Sequence, residues 1–307
     1  MTTSLLSGVR RSTAFRIAIA VALCMAVAAS AVALIGIGIH AAEQQNALFR
    51  AMRDAKRFVI PARPSVVKTP MSSTTIAGHD AFLIAPKAVS GASDRPWVWY
   101  MPTLPGLPGE EEASLFKALS DAGVAVAGID VGETYGSPAG HEAFDAFYRE
   151  MTEVRGYARR PVLFARSRGG LMALSWGEQN PENVAAIAGI YPVANLASYP
   201  GVDQAADAFS TTPAALAEHL PRYNPIDNIA NLAKARVPIY IIHGDSDEVV
   251  PLRDNSAILE HRYSDLGGPI TLRVVPHQGH SLSDLFFEDA HLARFVIEQA
   301  IEGAGRD

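Results

Sequence analysis

The sequence predicts an α/β architecture: a mostly parallel sheet with helices on both faces, preceded by one N-terminal transmembrane or signal helix. Three observations predict it. From about Ala81 to Ile301, short apolar runs of strand length alternate with helix-length amphipathic segments, the pattern of strands buried on both faces. Residues with reactive side chains fall just after several of the apolar runs, at the carboxyl ends where such sheets carry their sites. The leader is different in kind: Arg10, Arg11 and Arg16 precede an almost unbroken apolar run over residues 17–39, long enough to cross a bilayer as a helix.

That leader, residues 1–42, is expected to be either a retained anchor or an export signal. The run is longer than the apolar core of an ordinary cleaved signal, roughly 7 to 15 residues, and "HAA" at 40–42 is a poor cleavage site. The arginines ahead of it favour an inside N-terminus and an outside domain. The expectation is thus an exported protein, either membrane-anchored with an extracytoplasmic domain or secreted or periplasmic. Without the leader the chain loses three arginines and no acid, so its formal charge falls from -6 to -9. An acidic domain lacks the basic face that a nucleic-acid partner would call for. The single cysteine, Cys24, lies inside the apolar run, so the domain beyond it has neither a disulfide nor a thiolate metal site.

Residues 43–70 read as a stalk and linker, ending in the proline-bearing "PARPSVVKTP". The domain proper, 71–307, then runs in order. Strands are predicted at "DAFLIAP" and "PWVWYMP", followed by a helix over 110–122 with Glu110, Glu111 and Glu112 in its first turn and Gly123 as its stop. Next come strand "VAVAGID", helix "HEAFDAFYREM", strand "PVLFA", helix "GGLMALSWGEQ" and strand "VAAIAGIY". Residues 195–236 are irregular and too short for a large lid; one or two short helices and an open cleft are expected there. Strand "VPIYIIHG", a helix around 254–263, strand "ITLRVVP" and a helix near 288–301 complete the chain.

Three of the strand-end residues suit nucleophilic catalysis. Ser167 lies in "LFARSRGG", between a strand and a helix, in a G-x-S-x-G-like setting with Ala165 at the first position. Taken alone, A-x-S-x-G is equally the mark of a helix-capping serine. Arg168, however, would lie at the positive end of the helix dipole, which a simple cap does not call for. Asp247 follows in "HGDSDEVVP", 80 residues on, and His280 in "PHQGHSLSD", 33 further. The order Ser, Asp, His differs from that of the chymotrypsin and subtilisin classes. Asp245 and Glu248 are the rival acids, and His277 is the rival base. His243 reads as a structural residue at its strand end and His141 as a loop residue near the site.

On these residues the segment from about Ala81 to Ile301 resembles the α/β-hydrolase-fold serine hydrolases, nearest the prolyl oligopeptidase-like and dienelactone hydrolase-like group of esterases and peptidases. The resemblance implies Ser167 as nucleophile, His280 as general base and then acid, and Asp247 as the group orienting the imidazole. It implies an oxyanion hole made by the backbone N–H of Arg168 and one from "PTLPG". Pro102 and Pro105 have no N–H, so Leu104 is the candidate there. The motif departs from the H-G-x-P-G of many relatives.

"GIDVGETYGSPAGH" stands at another strand end. Asp130 and Glu133 are candidates to pair with Arg166 or Arg168, and Tyr135 to line a pocket. Arg166, Glu133 and Tyr135 are therefore candidate substrate contacts: either the acids neutralise the arginines, or one arginine stays free to hold a substrate carboxylate or sulfate. The expected activity is hydrolysis of a carboxylic ester on a small molecule or a carbohydrate, with no metal and no organic cofactor. The alternatives are a prolyl oligopeptidase-type peptidase and a hydrolase-fold protein that binds without turnover. Oligomeric state is not legible.

Overall fold

In the computed structural model, residues 71–86 and 95–305 are described. The leader and the stalk, 1–70, lie outside them, and with them the expected membrane helix. Among the described residues no helix is long and apolar enough to cross a membrane.

Eight strands form one sheet: β1 (Met71–Ile76), β2 (His79–Ile84), β3 (Trp97–Met101), β4 (Ala125–Ile129), β5 (Val162–Arg166), β6 (Ala186–Ile190), β7 (Ile239–Gly244) and β8 (Ile270–Val275), in the spatial order β1-β2-β4-β3-β5-β6-β7-β8. From β4 to β8 every pairing is parallel, whereas β1–β2 and β2–β4 are antiparallel. The expected mostly parallel sheet is present. The strand β1 is an addition that the apolar pattern did not signal: it is polar and largely exposed, and it is held by a two-residue turn in which Ala77 and Gly78 both take positive φ.

Five longer helices pack on the sheet: α1 (Ala113–Asp121), α2 (Pro138–Arg149), α3 (Gly169–Gln179), α4 (Ser256–Asp265) and α5 (Ala290–Ala304). Side chains alternate across each central strand and so feed two cores. Trp97, Trp99 and Met101 of β3, with Leu163 and Ala165 of β5, face the core shared with α2, α3 and α4. Val98, Tyr100, Val162 and Phe164 face the one shared with α1 and α5. Trp99 stands at the first core's centre, its ring 4.8 Å from Trp176 and 5.1 Å from Phe147. Burial of each such ring contributes about 1.5–3 kcal/mol.

The segment 195–236 carries more helix than expected. Short turns at Val202–Ala205, Pro213–Glu218, Leu220–Tyr223 and Ala230–Lys234 are joined by 3-10 pieces. The reason is a third small core, in which Leu196, Ala205 and Leu216 pack on Leu171, Val193 and Val250. Two buried asparagines anchor the entry to the segment. Asn255 Oδ1 accepts the N–H groups of Ala194 and Asn195, and Asn224 Oδ1 accepts that of Leu196.

Candidate active site

The site is built where β5 stops and α3 starts. Ser167, between them, has φ +51°, a left-handed conformation that costs a non-glycine residue on the order of 1–3 kcal/mol. Neighbouring backbone holds it there: its N–H donates to Ile190 O (3.0 Å), and its carbonyl accepts from Val193 N–H (2.8 Å) and Gly170 N–H (3.0 Å). The two glycines that follow are required by close packing. A Cβ on Gly169 would stand 2.1 Å from Met101 O, and one on Gly170 would stand 2.4 Å from Val193 O.

The turn aims the serine at the loop after β8. Ser167 Oγ lies 3.0 Å from His280 Nε2, and His280 Nδ1 lies 2.8 Å from Asp247 Oδ2. Asp247 sits in the turn after β7, its side chain fully buried, and its Oδ1 accepts the N–H groups of Val249 (2.9 Å) and Val250 (2.8 Å). Burial by itself would raise its pKa. Hydrogen bonds from His243, His280 and Val250 outweigh that and hold the carboxyl well below the usual carboxylate range. With Asp247 ionised, Nδ1 of His280 carries the proton and Nε2 offers its lone pair to the serine hydroxyl. Such a line of three can deprotonate Ser167 as it attacks a carbonyl.

One rival acid is engaged elsewhere. Asp245 Oδ1 accepts from Ser246 Oγ and from the backbone N–H of His277, and so closes its own turn. His141 is buried on α2 rather than lying in a loop, with Nε2 3.1 Å from Ser175 Oγ, and burial lowers its pKa.

The arginines flanking Ser167 separate. Arg166 is buried: Nη1 donates to Glu112 Oε1 (2.7 Å), Nη2 lies 2.5 Å from Glu111 Oε1, and the guanidinium stacks 5.0 Å from the Phe287 ring centre. Glu112, itself fully buried, also accepts from Tyr100 Oη (2.8 Å) and from Gly109 N–H (2.8 Å). As a substrate contact Arg166 is therefore corrected. Its charge is consumed behind the elbow by acids that the sequence placed only as helix-start residues. Arg168 pairs with Glu133, Nε to Oε1 at 2.9 Å, both side chains partly exposed. Asp130 pairs with neither arginine; its carboxylate caps Gly132 N–H (3.0 Å).

Tyr135 packs beside the Arg168–Glu133 pair. Its ring is buried in the third core, its hydroxyl accepts from Gln204 Nε2 (3.3 Å), and burial pushes that hydroxyl up to about 12. Of the two oxyanion candidates, Arg168 N–H lies at the entry of α3, where no preceding turn supplies a carbonyl. Leu104 N–H is not free: it donates to Leu107 O (3.3 Å) in a reciprocal two-residue bridge.

Two further residues adjoin the site: Tyr191, which carried no sequence signal, and His243, read from the sequence as structural at its strand end. Tyr191, with φ +35°, lays its ring against His280 and hydrogen-bonds Ser281 O (3.2 Å). His243 touches Asp247 from behind, its Nε2 3.3 Å from Oδ2. Among the described residues no three His, Cys, Asp or Glu side chains are grouped as a metal ion would require.

Residues 150–298, the stretch that holds Ser167, Asp247 and His280, match the family model for the prolyl oligopeptidase family. Over that stretch the chain is similar to the prolyl oligopeptidase family, and the sheet with its Ser167–His280–Asp247 line has the form of an α/β-hydrolase-fold serine hydrolase. A search of curated proteins found no match to the chain. Similar solved structures include Porphyromonas gingivalis dipeptidyl peptidase 4, with TM-score 0.60 and 18% identity over 75% of this chain and 35% of that one. A truncated carbohydrate esterase from gut microbiota has TM-score 0.60 and 19% identity over 79% of this chain and 100% of that one. A Mycobacterium tuberculosis puromycin-hydrolyzing peptidase has TM-score 0.59 and 15% identity over 78% and 40%. At these identities the likeness is one of fold. The chain covers 35% of the dipeptidyl peptidase's length.

Proposed function

We propose that this protein hydrolyses a carboxylic ester on a small molecule or a carbohydrate, by way of an acyl-enzyme on Ser167. The observation that carries the proposal is the continuous line from Ser167 Oγ through His280 to the buried, ionised Asp247. Ser167 Oγ attacks the ester carbonyl while His280 Nε2 takes its proton, and Asp247 supports the imidazolium. The tetrahedral oxyanion rests on Arg168 N–H, with Leu104 N–H as the second donor once it exchanges its long turn bond for the oxyanion. His280 then protonates the leaving alcohol, and water, activated by the same imidazole, releases the acid.

The likeness of the fold to a solved carbohydrate esterase supports the ester reading. The match to the prolyl oligopeptidase family favours a second reading, amide hydrolysis at the same serine. The apolar run at 17–39 supports an exported domain, either anchored or released.

The test compares p-nitrophenyl acetate, acetylated sugars and aminoacyl-p-nitroanilides on the full-length protein and on Ser167→Ala, with a fluorophosphonate label located by mass spectrometry. Label on Ser167 with ester turnover lost in the alanine variant is the expected result. Anilide turnover exceeding ester turnover would favour the peptidase. A folded protein with no label and no turnover would leave a binding role.

A further inference from the structure

The turn that carries Asp247 is backed by a second histidine. His243, the fifth residue of β7, is fully buried, as are the Asp247 side chain and Ser256 at the start of α4. Its Nδ1 lies 2.7 Å from Ser256 Oγ. Its Nε2 lies 2.9 Å from Val250 O and 3.3 Å from Asp247 Oδ2. Both groups near Nε2 are acceptors without a hydrogen, so Nε2 must carry the proton. Nδ1 meets the Ser256 hydroxyl, a group that can serve as either donor or acceptor. Two N–H groups thus converge on one carboxylate oxygen: His243 Nε2–H, shared between Val250 O and Asp247 Oδ2, and His280 Nδ1–H, directed to the same Oδ2.

We propose that His243 is a positioning residue for the hydrolytic reaction: as an Nε2–H donor it keeps Asp247 Oδ2 turned toward His280. Oδ1 is already held by two backbone N–H groups, and these leave rotation of the carboxylate about its own axis to be settled by what meets Oδ2. Only His280 and His243 are recorded there among the described residues. Because His280 moves charge and a proton during each acyl transfer, the fixed partner is the one on β7. The hydrogen bond from His243 is also the largest of the influences that hold Asp247 ionised.

This inference rests on the hydrolase reading, and two polar substitutions separate it from that reading and from a packing role. His243→Asn keeps an amide near the Nδ1 position, within reach of Ser256, and loses the donor to Asp247. His243→Gln places an N–H near the Nε2 position. In the full-length protein with p-nitrophenyl acetate, the Asn variant is expected to lose tenfold or more in kcat with KM within twofold, and the Gln variant to stay within threefold of the parent.

The downfield proton resonance of His280 Nδ1–H should persist in the Gln variant and broaden or vanish in the Asn variant. Equal kcat in both variants and the parent would overturn the proposal, and so would equal losses that follow Tm. If the parent itself neither turns over ester nor takes the phosphonate, the hydrolase reading has failed instead. Nitrogen-15 histidine spectra of the parent need no variant. An N–H at His243 Nε2 is required, and a tautomer protonated at Nδ1 alone would overturn the proposal.

Discussion

Arg166 donates to the fully buried carboxylate of Glu112 at 2.7 Å, directly behind the strand end that presents Ser167. Two desolvated charges are stable there because each is paired and hydrogen-bonded; removal of one leaves the other buried alone, at a cost of about 3–5 kcal/mol. Arg166→Met is therefore expected to lower unfolding free energy by about that amount. The double replacement of Arg166 by Met and Glu112 by Gln should recover a large part of the loss. Denaturant unfolding of the two single variants and the double variant completes the cycle, and simple additivity would show that the pair is not coupled.

Ser167→Ala and His280→Ala should each lower kcat/KM by about 10³-fold or more, and the double variant by scarcely more than either, because residues acting as one unit are not additive. Steady-state kinetics on one ester decides this. Additive losses would mean that the two residues do not share a step.

Glu133 neutralises Arg168 immediately after Ser167, and both side chains reach solvent. Glu133→Gln should expose the cation and raise activity toward an anionic ester relative to its neutral analogue. The expected change is about two- to fivefold, the scale of a partly exposed ion pair. Arg168→Ala should move the ratio the other way. An unchanged ratio in both variants would place the pair away from the substrate path.

Asp247 has a lowered pKa in the folded protein, so its ionised form stabilises the fold at pH values above the ordinary aspartate pKa of about 3.9. That contribution is lost as pH falls below this value and through the native pKa. Asp247→Asn should thus be less stable than the parent near neutral pH, with the gap narrowing as the solution is acidified toward pH ~3. Unfolding curves at several pH values measure it. A gap that widens on acidification would contradict the ionised, hydrogen-bonded state.

Much of this architecture is legible locally. The alternation of Trp97, Val98, Trp99 and Tyr100 marks a strand with two buried faces, and "GGLMALSWGEQ" coincides with α3 because its glycines, apolar face and end all lie within eleven residues. Polar β1 escapes such a pattern, since its pairing with β2 rather than its composition makes it a strand. The segment 195–236 reads as irregular because its short helices are stabilised by the core beneath them and not by their own periodicity.

By itself, the sequence determined the alternating strand and helix order, the strained serine turn with its two small neighbours, and the strand-end placement of Ser167, Asp247 and His280. All of these follow from side-chain size, polarity and spacing over a few residues. Only the tertiary structure decided which charges meet. It sent Arg166 to Glu112, 54 positions away, and Arg168 to Glu133; it tied Leu104 N–H into its own turn and set His243 behind Asp247. The physical reason is that such pairings depend on distances between separate strand ends, which the packing of the sheet creates and no local pattern encodes.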